Sequence, residues 1–280
     1  MVEVLLAFLM IAIIGCMSLI GVFMISLKEN TLDGILFILV AFATGTILAT
    51  AIFDLIPEAL HHYEELSAEG LALEENIVFM SVMLGFVVFF IMERFIYWFH
   101  GHAHESENQT VCYSGIGNTK PAELENPKNI KNFALLNLFG DGMHNFLDGI
   151  VIMVAFLTSL PLGIIITLAV IFHELPQEIG DFGILVYGGF TKKRALLFNF
   201  LSAMIALLGG LFAFILSSTV ETFNLFFLAF SGGGFLFLAC TELMPELLKQ
   251  KDLKKSIIQV VIFLAGLFLV LGLMVILPHE

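Results

Sequence analysis

Two stretches concentrate the residues that could do chemistry. In "GDGMHNFLDGI", Asp141, His144, Asn145 and Asp148 fall at i, i+3, i+4 and i+7, so one helical face carries all four. In "FHELPQEIGDF", Glu174, Gln177, Glu178 and Asp181 repeat that spacing, with His173 beside them. His144 and Asp148 are four apart, as are His173 and Gln177, while Asn145 and Glu174 each follow a histidine. Two facing helices of this kind offer imidazole nitrogen and carboxylate oxygen to one point, with Asn145 and Glu174 one step round toward an adjoining site. That donor set suits zinc, iron(II), manganese or cadmium. The three cysteines (Cys16, Cys112, Cys240) are scattered and give no thiolate clip.

The surroundings make the placement costly. Flanks such as "LGIIITLAVI" are apolar enough for a bilayer, where each central carboxylate costs roughly 2.5–3.5 kcal/mol. Asp141, Asp148, Glu174, Glu178 and Asp181 together cost upwards of about 10 kcal/mol, which a bound divalent cation and a wet path offset. A proton relay or interhelical hydrogen bonds would also explain one His–Asp pair, but two spans with matching spacing favour metal. Pro176 removes a backbone amide, and such a break is tolerated where the backbone lines a cavity.

The positioning elements are transmembrane helices. Of 280 residues, 59% are hydrophobic and 13% charged, about half the charge of a soluble domain. Eight spans are expected, near 2–27, 33–60, 77–99, 130–159, 162–189, 195–217, 222–248 and 255–278, forming a single all-α transporter domain over 1–280. Asp33, Asn129 and Asn224 stand near helix starts as candidate caps. All 12 lysines and arginines then fall on one face, including Lys28, Arg94, Lys120, Lys128, Lys131, Lys192 and Lys249. The positive-inside rule makes that face cytoplasmic and puts both termini outside. The outer connection "HHYEELSAEGLALEEN" has five glutamates and no lysine or arginine. A net charge of −13 excludes nucleic acid as a partner and suits cations.

Spans two and seven share a pattern. "GTILATAIFDLIPEAL" (Gly45 to Leu60) aligns with "GGFLFLACTELMPELL" (Gly233 to Leu248), matching Asp54 with Glu242, Pro57 with Pro245 and Glu58 with Glu246. An odd number of crossings separates them, so the repeat is inverted, spans one to three pairing with six to eight. Such repeats supply inward and outward openings in transporters. Asp54 and Glu58 fall toward the outer end of a path, Glu242 and Glu246 toward the inner end, with Asp141 and Asp181 on the route out.

"HNFLDG" followed by "HELPQEIGDF" resembles the paired signature of the ZIP (Zrt/Irt-like protein) family of divalent metal transporters. "DLIPEA", "LSA" and "ELMPE" resemble further motifs of that family, and "GDGMHNF" with "PQEIGDF" is most similar to its histidine-rich membrane protein branch. The resemblance implies an eight-helix bundle in a 3+2+3 arrangement with a binuclear site between spans four and five. One metal would sit on His144, Asp148, His173 and Gln177, the other on Asn145 and Glu174, with Gln177 a candidate for both. Gln177 departs from the histidine or bridging glutamate of other members, and Ala206 stands where some have an acid; Glu178 is a candidate to compensate.

The function expected is zinc uptake into the cytoplasm across the plasma membrane, by alternating access, with zinc (or iron, manganese or cadmium) as substrate, no catalytic cofactor and no enzymatic activity. The bilayer and the cation are the expected partners, and a homodimer is possible. The cytoplasmic loop 100–129 carries His100, His102 and His104 and resembles the family's histidine-rich loop, much shortened. The rival reading is an intramembrane zinc-dependent hydrolase, since "HELPQ" begins like HExxH, but Gln177 replaces the second histidine.

Overall fold

The computed structural model describes residues 2–21, 29–74, 76–101, 132–220 and 222–277, with backbone alone at 29–30, 95–101 and 132–133. Lys28, Asn129, Lys120, Lys128, Lys131, His102, His104 and Cys112 lie outside the described residues, as do the side chains of Arg94's successors through His100.

Among the described residues the regular structure is all helical, with no strand. We number eight bilayer-length elements. Helix α1 is Val2–Met17, prolonged by a tighter turn Ser18–Ile20. Helix α2 runs through Glu29–Thr50, a widened turn Ala51–Leu55 and Ile56–Ala68. Helices α3, α4 and α5 are Ile77–Gly101, Asn132–Thr158 and Leu160–Tyr187. Helix α6 joins Lys192–Ala203 to Ala206–Ser217. Helix α7 runs through Phe223–Phe237, a widened turn Leu238–Leu243 and Met244–Leu248, and α8 is Leu253–Ile276. Seven of these are long and apolar enough to cross a membrane. The eighth, α4, has the length, but Asp141, His144, Asn145 and Asp148 lower its hydropathy. The result is an all-α integral membrane bundle, with leucine, isoleucine and phenylalanine exposed along α3 and α8 as lipid would require.

Helix α2 continues eight residues beyond its predicted end, through "HHYEELSA", whose two glutamates, leucine and alanine are good helix formers. The caps also differ from expectation. Asp33 lies inside α2, and Asn224 accepts from Ser217 Oγ across the α6–α7 turn (2.7 Å). The capping oxygens are those of Ser159, Thr191 and Asp252, which accept from Leu162, Arg194 and Lys255 amides.

The repeat between α2 and α7 extends to single backbone bonds. Ile56 N–H reaches Ala51 O, and at the aligned positions Met244 N–H reaches Ala239 O, each five residues back. Each widened turn ends just before a proline (Pro57, Pro245), whose ring clashes with the carbonyl four residues earlier and cannot donate to it. The seams repeat as well. A Cβ on Gly45 would meet Phe263 O of α8 at 2.0 Å, and one on Gly233 would meet Val82 O of α3 at 1.9 Å. Reciprocally, Gly266 packs on Phe42 O, and Gly85 packs on Phe230 O. Phe42 and Phe230 are themselves aligned. Helix α4 is held against α6 by Gly149 on Ala206 O and Gly209 on Phe146 O, both at 1.9 Å.

Candidate metal centre

Helices α4 and α5 pack along their length, and side chains meet between them. His173 Nε2 lies 3.2 Å from Asp148 Oδ2, 3.3 Å from Glu174 Oε1 and 3.4 Å from His144 Nε2. His144 Nε2 lies 3.5 Å from Glu174 Oε1 and 3.7 Å from Asp148 Oδ2. All four donor atoms fall within 4.8 Å of one another, and His144 is the most exposed, at 13%.

The orientation of His173 is fixed from behind. Its Nδ1 donates to Ala169 O one turn earlier (3.2 Å), which leaves Nε2 to face the cluster. Two phenylalanines wall the imidazoles edge-on: Phe89 of α3 against His144 (6.2 Å) and Phe235 of α7 against His173 (5.7 Å). Nothing in a chain of 30 phenylalanines singled these out.

Of the residues expected to hold metal, the structure brings His144, Asp148, His173 and Glu174 together. The spacing puts Glu174 one step round the helix, toward the adjoining site, and its two methylenes bring Oε1 to the His173 nitrogen, a reach that spacing alone does not express. Gln177 is half-buried, one turn beyond His173. Asn145 is buried and donates to Asp141 Oδ1 (2.8 Å), leaving its own carbonyl oxygen without a protein donor.

The acids further along α4 and α5 have amide partners too. Asn137 Nδ2 donates to Asp181 Oδ1 (2.8 Å). Asn199 of α6 donates to Glu178 through a short bond to the carboxylate. Neither Asn137 nor Asn199 stood out in the sequence, since a single asparagine on another helix shows no spacing to its partner. The path acids divide by exposure. Asp54 is buried at 2%, Glu58 and Glu246 are half-buried, and Glu242 is exposed.

The result is an all-α membrane bundle with a buried nitrogen–oxygen donor cluster, able to hold a metal ion, between two central helices. The family follows from comparison: the model of the ZIP zinc transporter family matches residues 2–274, and the chain belongs to that family. It is similar to zinc transporter zipt-7.1 of Caenorhabditis briggsae, at 31% identity over 77% of this chain and 62% of the relative. Zinc transporter ZIP13 of Mus musculus is 30% identical over 81% of this chain and 67% of the relative. Zinc transporter ZIP10 of Homo sapiens is 38% identical over 54% of this chain and 17% of the relative. The chain therefore spans less than two thirds of the first of these relatives and a small part of the third.

Proposed function

We propose that this protein carries divalent transition-metal cations, zinc foremost, from outside into the cytoplasm by alternating access. The supporting observation is metrical. Four ligands at 2.0–2.1 Å around a tetrahedral zinc stand about 3.3 Å apart. Five of the donor separations among His144, Asp148, His173 and Glu174 fall between 3.2 and 3.7 Å. The two carboxylates offset the ion's charge.

In this reading Asn145, Gln177 and Glu178 complete the surroundings of the site. Asp54 and Glu58 gather the ion outside, and Asp141, Asp181, Glu242 and Glu246 line its way in. The buried Asp54 and exposed Glu242 correspond to a conformation closed outside and open inside. The protein sits in the plasma membrane with both termini outside and loop 100–129 in the cytoplasm. A hydrolase would keep one coordination position for water; with Glu174 as the fourth ligand none would be left, which favours carriage over catalysis.

Radiolabelled zinc uptake into proteoliposomes tests the reading. Uptake by the wild type should be lost in His144→Ala and in His173→Ala with the protein still folded, and unchanged uptake in both would sink it.

A further inference from the structure

We infer that a second cation site, made of oxygen alone, lies on the inner side of the histidine cluster between α4, α5 and α6. Its ligands are Asp141, Glu178 and Asp181 with the side-chain carbonyl of Asn199, and its occupant is the transported divalent ion on its way out. This deepens the transport reading and rests on it.

The helices set the register. Asp148 meets His173 and, further along, Asn137 meets Asp181, so α4 and α5 are antiparallel. Asp141, one turn after Asn137, is therefore level with Glu178, three residues before Asp181. The three carboxylates act on one another electrostatically. Asn199 anchors Glu178 from α6 through its amide nitrogen, donating to both the carboxylate and the Glu178 backbone carbonyl (3.4 Å).

Each acid spends one oxygen on the protein and keeps one. Asp141 Oδ2, Glu178 Oε1, Asp181 Oδ2 and Asn199 Oδ1 are all buried without a protein hydrogen bond; the Ser202 hydroxyl, which donates to Leu138 O, stands beside Asp141. Asn199 is 0% exposed, Glu178 1%, Asp141 5% and Asp181 8%. Buried acceptors are costly unless something positive meets them. Among the described residues no lysine or arginine is buried to do so.

Oxygen ligands without imidazole suit hard ions such as manganese(II) and hold zinc less firmly than a site with histidine. An ion passing from the histidine cluster to this one thus moves toward weaker binding on the cytoplasmic side.

Manganese(II) binding to the purified full chain, read by electron paramagnetic resonance, tests the site. The double variant His144→Ala with His173→Ala should still hold one manganese ion, without histidine-nitrogen modulation. Adding Asn199→Ala should weaken that binding about 10-fold or more. Asn199→Asp keeps the size, adds a charged ligand and should tighten it, which covers the case in which the alanine variant does not fold. A double variant that holds no ion overturns the inference. So does a bound ion indifferent to both Asn199 substitutions, or one that keeps nitrogen modulation. If zinc uptake proceeds while the double variant holds no ion, this site fails alone. If manganese binds as described but zinc uptake is absent, the transport reading fails instead.

Discussion

Asp54 and Glu242 hold the same position in the two repeats, each on a widened helical turn three residues before a proline, yet Asp54 is 2% exposed and Glu242 lies open. Equivalent backbones with unequal exposure are what alternating access requires of an inverted repeat. In a cysteine-free background, Glu242→Cys should react with a membrane-impermeant thiol reagent from the cytoplasmic side while Asp54→Cys is protected from the outside. Equal labelling of both would remove the asymmetry from the working protein.

Glu174 and Gln177 can be ranked. Removing a carboxylate that touches both histidine nitrogens should cost at least as much as removing a group that only orients a ligand, about 10- to 100-fold in affinity. Isothermal titration with zinc should therefore show a much larger loss for Glu174→Gln than for Gln177→Ala. The reverse order would return the fourth ligand to Gln177.

Protons should compete with the metal. Imidazole binds a cation only through an unprotonated nitrogen, so metal binding at this cluster must release protons. Zinc affinity should therefore be greater at high pH and fall as pH drops. Affinity independent of pH between about 5 and 8 would count against both ligands.

The glycine seams should tolerate no side chain. Gly45→Ala and Gly233→Ala each drive a methyl into a backbone carbonyl of the neighbouring helix, and overpacking of this kind costs about 1–3 kcal/mol. Gly34→Ala, with nothing within 4 Å, should be neutral or stabilising by up to about 1 kcal/mol. Thermal melting in detergent separates the three.

Much of this was legible in the sequence for a physical reason. A bilayer demands long apolar helices, and the lone polar runs in such helices declare the site: His144, Asp148 and His173 could be placed by period alone. The aligned Pro57 and Pro245 marked the repeat, and the widened turns beside them are its backbone consequence. What could not be read depends on reach or on a third helix. Glu174 bends back by its own length, Asn199 meets Glu178 from α6, and Phe89 and Phe235 are two apolar rings among many. Caps at Ser159, Thr191 and Asp252 were missed because helix ends shift by a few residues.

The polarity of α4 has a bearing on how the protein is made. A segment carrying Asp141, His144, Asn145 and Asp148 partitions poorly into lipid alone, since each central aspartate adds roughly 2.5–3.5 kcal/mol to its insertion. Its Asp148 meets His173 of α5, its Asn137 bonds Asp181 of α5, and its glycine seam lies against α6. Helix α4 is therefore expected to enter the membrane together with the two segments synthesised after it, as a unit. The helix that carries most of the donor cluster's neighbours is the one least suited to insert by itself.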